Sequence, residues 1–213
     1  VKKEKLFYLP NSRNLVIKKF KKNLSKNFDK KIFNICYFGN FGIVQEFNTI
    51  LSAAEKLKKN KKINFHFFGE GIKKNKIRNI IIQKKLDNFF LHNGEDEKYL
   101  DHYIKYSSLL YLSLKKDKFL NLTSPSKLQL YLASGKPIIG EISGESKKII
   151  NLSKSGFCID HGDSKDLVNK INFFFKIRNN KTKFNYYSSN SKDYYNKNFS
   201  INKITSKFFK IIK

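Results

Sequence analysis

Short apolar runs that end in glycine or in a polar turn recur along this chain, and a helical pattern follows each of them. The first run, residues 32–38, is almost continuously apolar, as in parallel strands that are buried on both faces. A glycine turn at residues 39–42 follows directly, and apolar residues then fall at helical spacing from residue 47 to residue 57. Further strands are predicted at residues 63–68, 89–92, 109–114, 138–139 and 157–159.

Helices are predicted between and after these strands, at residues 73–84, 96–106, 145–154 and 164–178, and a short one ends at Gly135. Strands that alternate with helices through short connections predict an α/β fold, a Rossmann-like, doubly wound parallel sheet of about six strands with helices on both faces. In such a sheet the carboxyl ends of the strands line one edge, where ligands bind. The turns after the strands are therefore expected to form one crevice.

The residues expected in this crevice are glycines and polar residues, and twelve of them are candidates for binding a ligand. They are Gly39, Asn40, Gly42, Gly69, Gly71, Asn93, Gly94, Lys115, Ser124, Ser126, Lys127 and Glu145. A tight turn without a ligand is the more common outcome for a single glycine pair. The hypothesis therefore depends on the convergence of several turns.

Residues 124–137 carry the most informative pattern, a polar loop that opens a short helix. Gly135 is the expected C-cap of that helix. A helix entered through Ser124 and Ser126 offers free N–H groups and the positive end of its dipole, with Lys127 alongside, which suits a phosphate. The alternative is an ordinary helix start that is capped by Ser or Thr and carries a solvated lysine.

The flanking segments are predicted to differ from this core. Residues 1–31 are expected to form an entering strand, at 6–9, and an interdomain linker, whereas residues 32–178 form the Rossmann-like domain and residues 179–213 a helical extension. Within the extension, residues 179–200 are predicted as loop and irregular helix because they are rich in Asn, Lys, Ser and Tyr. A terminal helix over residues 201–213 is expected to turn its apolar side toward a neighbour, with Ile204, Phe208 and Ile211.

The formal net charge of +27 comes almost entirely from lysine, because arginine occurs only at positions 13, 78 and 178. Such a charge suits nucleic acid or an anionic membrane. The chain is equally rich in Asn, Ile, Phe and Tyr, which AT-rich codons encode, so a genomic bias also explains it. Neither zinc-finger spacing nor a ribonucleoprotein signature occurs. Nucleic acid is therefore not the partner that the sequence favours.

The cysteines, histidines and acidic residues of the sequence argue against several other kinds of site. Cys36 and Cys158 lie in apolar runs, which predicts buried free thiols in a reducing compartment. The four histidines show no metal-ligand spacing, and neither a convincing carboxylate pair nor a nucleophile-elbow GxSxG occurs, so a metal site and hydrolysis are not expected. The sequence contains no run of about 20 apolar residues, so a membrane span is not expected. The chain begins at Val1 and lacks Met, so we expect a part of something longer.

Five motifs resemble, in order and spacing, the carboxyl-terminal half of family 4 (group 1) glycosyltransferases with the two-domain GT-B architecture. The most similar are bacterial sugar transferases of O-antigen and capsule assembly. The resemblance covers roughly residues 6–213. The motifs are YLPN at 8–11, YFGNFG at 37–42, FFGEG at 67–71, SPSK at 124–127 and YLASGKP at 131–137.

The resemblance implies that this half binds a nucleotide-diphospho-sugar, whereas an amino-terminal domain outside this sequence holds a glycan or lipid-linked acceptor. Transfer would proceed with retention and without an obligatory metal, in the cytoplasm or at the inner face of the membrane. Residues 39–42, Ser126 and Lys127 would hold the diphosphate, with Lys115 as a second cation. Asn93 and Gly94 would border the base. Glu145 would approach the sugar or simply occupy the first turn of a helix.

The sequence departs from the family pattern at the positions of two glutamates separated by seven residues, of which the second binds the ribose. Counting back from Gly135, those positions hold Leu130 and Leu122. Losing each such bond costs about 1.5–3 kcal/mol, because leucine accepts none. Gln45 and Glu46 stand where many relatives carry an Arg/Lys pair. A non-catalytic remnant or a basic nucleic-acid-binding domain is therefore the alternative function.

Overall fold

The computed structural model describes Phe7, Leu9, Pro10, Ser12 and residues 28–94 and 97–212. The strands among them are β1 (Phe33–Phe38), β2 (Ile63–Phe68), β3 (Phe89–His92), β4 (Leu109–Ser113), β5 (Ile138–Glu141) and β6 (Gly156–Ile159). The helices are α1 (Asn48–Leu57), α2 (Lys74–Gln83), α3 (Glu97–Tyr106), α4 (Ser126–Ser134), α5 (Gly144–Ser153), α6 (Ser164–Ile177), α7 (Lys181–Asn198) and α8 (Ile201–Ile211), with a 3₁₀ turn at Leu120–Leu122.

The six strands form one parallel sheet in the order β3-β2-β1-β4-β5-β6. The strand order therefore reverses between β1 and β4, which is the switch point where such sheets bind ligands. The last residues of β1, β2 and β3, namely Phe38, Phe68 and His92, lie level with one another. The predicted Rossmann-like fold is confirmed, and the turns after these strands begin at one edge of the sheet.

Burial on both faces explains why the strands are apolar at nearly every position. Along β1, Ile35 and Tyr37 belong to the core under α1, α2 and α6, whereas Cys36 and Phe38 belong to the core under α3, α4 and α5. Cys36 is fully buried and Cys158 partly buried; both are free thiols, and burial raises the pKa of each to about 12.

The prediction of loop and irregular helix for residues 179–200 is wrong, because most of this segment is α7, a regular helix of 18 residues. Its start is capped by Asn180, whose side chain accepts a hydrogen bond from the amide of Lys183. Tertiary contacts explain the rest, since Ser191 is buried and its hydroxyl donates to the Leu132 carbonyl of α4 at 3.3 Å. Packing against α4 therefore outweighs the weak helix propensity of these residues.

The terminal helix is confirmed as α8, but its apolar side is covered only in part. Ile204 and Ile211 are partly buried, whereas Phe208 is 45% exposed. The predicted strand at residues 6–9 falls largely outside the described residues. In the described part of the chain, no helix is long and apolar enough to cross a membrane.

Candidate functional site

Lys127 and Gly39 meet at the switch point of the sheet. The Lys127 ammonium donates a hydrogen bond to the Tyr37 hydroxyl at 2.7 Å and stands 4.4 Å from the centre of that ring. A Cβ built on Gly39 would lie 2.7 Å from the Lys127 nitrogen, and the φ of Gly39 is +145°. Because side chains other than glycine rarely adopt this φ, glycine at position 39 lets the turn after β1 lie against the ammonium group.

The charge of Lys127 has no counter-ion among the described residues, because none of the ion pairs found there includes it. Burial lowers the pKa of Lys127 to about 8, since the ammonium group is partly removed from water. The group is still mostly protonated at neutral pH. A poorly hydrated cation without a carboxylate partner is suited to binding a phosphate.

The first turn of α4 lies beside this cation and is not capped by any described side chain. Its N-cap residue is Pro125, with an extended backbone. The alternative of a Ser or Thr cap is wrong, because the hydroxyl of Thr123 donates to the Leu120 carbonyl instead. Ser126 is exposed at the first position of the helix. The Leu128 amide donates to the Pro125 carbonyl at 2.9 Å, whereas the amides of Ser126 and Lys127 have no partner among the described residues and remain available to an anion.

The glycine turns after β1 and β2 pack directly on each other. A Cβ on Gly69 would lie 1.9 Å from the Gly39 carbonyl oxygen, and one on Gly71 would lie 2.2 Å from the side-chain oxygen of Asn40. The amide of Gly42 donates to the Gln45 side chain at 3.0 Å. The structure thus brings the first five predicted site residues into one contact network.

Asn93 and Gly94 lie after β3 and are joined to the second glycine turn through a salt bridge. The Lys74 ammonium donates to Glu70 at 2.7 Å and to the Asn93 side-chain oxygen at 2.9 Å. Glu70 also accepts from the Gly94 amide at 3.1 Å. These hydrogen bonds, first that from Lys74, lower the pKa of Glu70. The two residues are therefore held at the rim beside the glycine turns.

Ser124 and Glu145 line a separate pocket of ≈ 550 Å³ on the other side of α4. Gly144, with a φ of +61°, lets the start of α5 approach the 3₁₀ turn, because a Cβ there would lie 2.0 Å from the Asn121 carbonyl oxygen. The Ser146 hydroxyl donates to the Thr123 carbonyl at 3.1 Å and ties α5 to this loop. Glu145 is exposed in the first turn of α5.

Lys115 is the predicted residue that lies apart from these contacts. Its amide donates to the Val44 carbonyl at 2.8 Å, and its exposed side chain lines another pocket, together with Glu46 and Lys73. The Lys73 ammonium donates to the Gln45 carbonyl at 2.5 Å, so a lysine of the α2 start reaches the loop that lacks the family's basic pair.

The two leucines at the family's glutamate positions have different surroundings. Leu130 is 2% exposed and packs in the core under α3, α4 and α5. Leu122 is 80% exposed and lines the pocket of Ser124 and Glu145. Neither offers a hydrogen-bond acceptor in its side chain.

Sequence reasoning missed Tyr37 and Gln129. The Tyr37 hydroxyl donates to the Asn40 carbonyl at 2.7 Å while it accepts from Lys127, so it fixes the turn and the cation together. Its position two residues before Gly39 in a both-face-buried strand was the available signal. Gln129 lies in α4 and lines the pocket of Ser124. A polar residue inside an apolar helical stretch was the signal there.

The Lys127 ammonium and the free amides at the start of α4 have the chemistry that suits an anion. Among the described residues, no cluster of three His, Cys, Asp or Glu side chains is placed to hold a metal ion. Glu141 is buried behind the site and accepts hydrogen bonds from Thr49, Tyr111 and the Gly162 amide. That carboxylate ties α1, β4 and the loop after β6 to the end of β5.

Comparisons with solved structures identify the same fold in several glycosyltransferase structures. HepE of Anabaena in complex with UDP-glucose superposes with a TM-score of 0.70 at 13% identity, over 85% of this chain and 48% of that chain. A TarM variant of S. aureus, in a complex that includes UDP, gives 0.68 at 20% identity, over 90% and 37%. Sucrose-phosphate synthase from Thermosynechococcus elongatus gives 0.72 at 14% identity, over 96% and 51%.

The chain thus spans about half the length, or less, of these solved structures. No curated protein matches the sequence. The family model described as "Glycosyl transferases group 1" matches residues 17–191, which is most of the chain. Fold and family model agree, and the chain belongs to the group 1 glycosyl transferases.

Proposed function

We propose that this domain binds a nucleotide-diphospho-sugar and, with an acceptor-binding domain, transfers the sugar. The observation that carries the proposal is the partly buried Lys127, which has no counter-ion among the described residues, at the uncapped start of α4 and against Gly39 of the first turn. The diphosphate would lie between these elements, and the base would lie toward Asn93 and Gly94. The UDP and UDP-glucose complexes of the compared structures support a donor of this class.

The chemical step that these groups serve is the departure of a nucleoside diphosphate. Negative charge grows on the leaving phosphate as the glycosidic bond breaks, so a cation and amides that are already in place lower the barrier. Lys127 and the first amides of α4 would provide them without reorganisation. Tyr37 would act as a positioning residue, because it holds the ammonium group and the Asn40 carbonyl in one arrangement.

The finer parts of the proposal follow the sequence resemblance. Transfer would retain the anomeric configuration and would need no obligatory metal ion. The acceptor would be a glycan or a lipid-linked sugar in the synthesis of cell-surface polysaccharide. The chain alone would bind the donor but would not complete the transfer without the acceptor domain.

A thermal-shift experiment tests the donor proposal, because a ligand that binds the native state must raise the melting temperature. The chain is heated with UDP, GDP or ADP at millimolar concentration, with inorganic phosphate as the control for nonspecific anion binding. We expect one diphosphate to raise the melting temperature by several degrees beyond phosphate, and Lys127→Met to remove most of that shift. No shift with any diphosphate would contradict the proposal.

We also propose that a lipid-linked acceptor is met at an anionic membrane surface in the cytoplasm. α8 carries Lys203, Lys207 and Lys210 together with the exposed Phe208 and Phe209, a combination that suits an anionic interface. Flotation with vesicles of phosphatidylglycerol, against vesicles of phosphatidylcholine, tests this contact. Equal flotation with both lipids would remove it.

A further inference from the structure

The loop at residues 115–122, between β4 and α4, holds two large apolar side chains in solvent. Phe119 and Leu122 are each 80% exposed, the highest fraction for any large apolar side chain in the described part of the chain. They are three residues apart across the 3₁₀ turn and therefore lie on the same side of it. Single exposed apolar residues are common, whereas two together at the tip of one loop indicate a surface that binds another molecule.

Hydrogen bonds within the 115–122 loop hold its tip in one conformation. One carboxylate oxygen of Asp117 accepts from the amides of Phe119 and Leu120, at 2.8 and 3.0 Å. The amides at positions 121, 122 and 123 donate to carbonyls of the same segment, at 3.0, 3.1 and 3.1 Å. The tip can therefore leave water for an apolar layer, because none of these amides would be unpaired there.

The 115–122 loop is fixed to α5 and leads into the start of α4. The backbone of Gly144 packs against Asn121, and the Ser146 hydroxyl donates to the Thr123 carbonyl at 3.1 Å. Residues 123–125 then connect the loop to the first turn of α4, which carries Lys127. Whatever the loop binds is therefore held close to the proposed diphosphate site.

Lysines precede the apolar tip of the loop. Lys115, Lys116 and Lys118 are exposed, and none of the ion pairs found among the described residues includes them. Asp117 is the one acidic residue in this segment of the sequence. An anionic bilayer complements both features, because its headgroups attract the lysines and its acyl boundary accepts the apolar side chains. A nucleic acid would use the lysines but not Leu122, which has no ring to stack on a base.

The 115–122 loop lies beside α8, the helix for which contact with an anionic membrane is proposed. Pro10 and Glu145 line the pocket that Leu122 borders. The same two residues line the pocket that Lys203 and Lys207 of α8 border. The loop therefore extends the surface around α8 toward the start of α4.

We infer that the 115–122 loop inserts into an anionic bilayer, with Phe119 and Leu122 in the interface and the three lysines at the headgroups. The inference rests on the proposed function, because a lipid-linked acceptor keeps its reacting end at the bilayer surface. Insertion next to α4 would hold the bound donor at the same surface as that acceptor. The loop would thus select acceptors that are attached to lipid over free glycans.

Tryptophan fluorescence tests the insertion, because the chain contains no Trp. Phe119→Trp places one reporter at the tip of the loop. Ile82→Trp is the matched control, since Ile82 is 68% exposed near the end of α2, at the opposite edge of the sheet. Each whole chain is mixed with vesicles of phosphatidylglycerol or of phosphatidylcholine that carry brominated acyl chains. With phosphatidylglycerol alone, we expect the emission of Phe119→Trp to shift to shorter wavelength and to be quenched, and that of Ile82→Trp to stay unchanged.

Vesicle flotation measures how much each side chain contributes. Phe119→Ser should weaken binding to phosphatidylglycerol vesicles by roughly tenfold, because it removes an inserted phenyl group, whereas Ile82→Ser should not. Lys116→Gln and Lys118→Gln should each weaken it by roughly fivefold, as for one basic residue near an anionic surface. Lys59→Gln, at an exposed position after α1, is the control for charge and should bind as the wild type does.

Three results would overturn the inference. The first is unquenched emission of Phe119→Trp on vesicles that carry the protein, or wild-type flotation of Phe119→Ser; either would leave the membrane contact to α8. The second is a shift of the Phe119→Trp emission that appears without vesicles and grows with protein concentration, which would assign the loop to a second copy of the chain. The third is weaker binding of single-stranded RNA by Phe119→Ser without insertion of the wild type, which would assign the loop to nucleic acid.

The thermal shift with UDP, GDP or ADP separates this inference from the donor proposal. Phe119→Ser should keep the wild-type shift, because the exposed side chain lies outside the start of α4 and Lys127 is unchanged. Loss of insertion with a retained shift would remove the loop's role alone. Insertion of a wild-type chain that binds no diphosphate would contradict the donor proposal and leave the contact with the bilayer standing.

Discussion

Replacing Lys127 by Met should stabilise the free domain and abolish most of its affinity for the donor. Burial lowers the pKa of Lys127 from 10.5 to about 8. At 1.36 kcal/mol per pKa unit, holding this ammonium charged in the fold costs about 3 kcal/mol at most. The hydrogen bond to Tyr37 and the contact with its ring return roughly 1–2 kcal/mol in total. Lys127→Met should therefore raise the free energy of unfolding by about 1–2 kcal/mol at pH 7.

The size of this stabilisation depends on pH. Below pH 8 Lys127 is charged in both the folded and the unfolded chain, so the full cost of burying the charge is present. Between pH 8 and pH 10.5 the folded chain loses this proton before the unfolded chain does, so the free energy of unfolding of the wild type rises. The advantage of Lys127→Met should thus shrink as the pH rises through this window. Urea unfolding at pH 7 and at pH 10 measures the difference.

Donor binding should change in the opposite direction. A charge-assisted hydrogen bond to phosphate contributes about 1.5–3 kcal/mol, so the variant should bind UDP or GDP roughly 10- to 100-fold more weakly by calorimetry. Lys59→Met, at an exposed position after α1, is the control and should change neither quantity. A variant that is clearly less stable than the wild type, or that binds the diphosphate equally well, would refute this reasoning.

Three further outcomes follow from the same contacts. Donor affinity should fall by up to about tenfold per pH unit above pH 8, because Lys127 loses its proton there. Lys127→Arg should remove this pH dependence, since arginine stays charged. A pH profile of affinity that Lys127→Arg leaves unchanged would assign the titration to another group. Gly69→Ala should destabilise the chain by about 2 kcal/mol more than Gly162→Ala, measured by urea unfolding, because its Cβ would meet a carbonyl oxygen at 1.9 Å whereas Gly162, also at positive φ, has open space. Burial lowers the pKa of His66 from 6.5 to about 3, so the stability that is present above pH 6.5 is lost as the pH falls toward 3. His66→Phe should reduce the slope of the free energy of unfolding against pH by up to about 1.4 kcal/mol per pH unit. Equal slopes for the two proteins between pH 6.5 and pH 4 would show that His66 takes up its proton as readily in the folded chain as in the unfolded one.

The sheet could be predicted from the sequence because the residues that specify a strand and its end lie next to one another in the chain. Apolar runs such as residues 32–38 and the glycine turns after them specify strands and their ends without reference to distant residues. Parallel strands joined by helices must then place those ends at one edge. The meeting of Gly39 with Gly69, and of Asn40 with Gly71, follows from that rule.

α7 could not be predicted from its own residues. Its Asn, Ser and Tyr content favours turns, and the helix depends on the burial of Ser191 and Tyr195 against other elements. The position of Lys115 also depends on tertiary contacts, because its amide donates to the Val44 carbonyl and its side chain lines a pocket with Glu46 and Lys73.

The sequence by itself determined the α/β class, the order of its elements and the turns that converge at the switch point, since periodicity and chain connectivity suffice for these. Only the tertiary structure decided which side chains face which other elements. Tyr37 beneath the Lys127 ammonium and Gln129 at the opposite side of the same helix are the decisive cases. The helix or strand that carries a side chain sets the direction in which that side chain points. The residues that it contacts are set by packing between elements that are far apart in the chain.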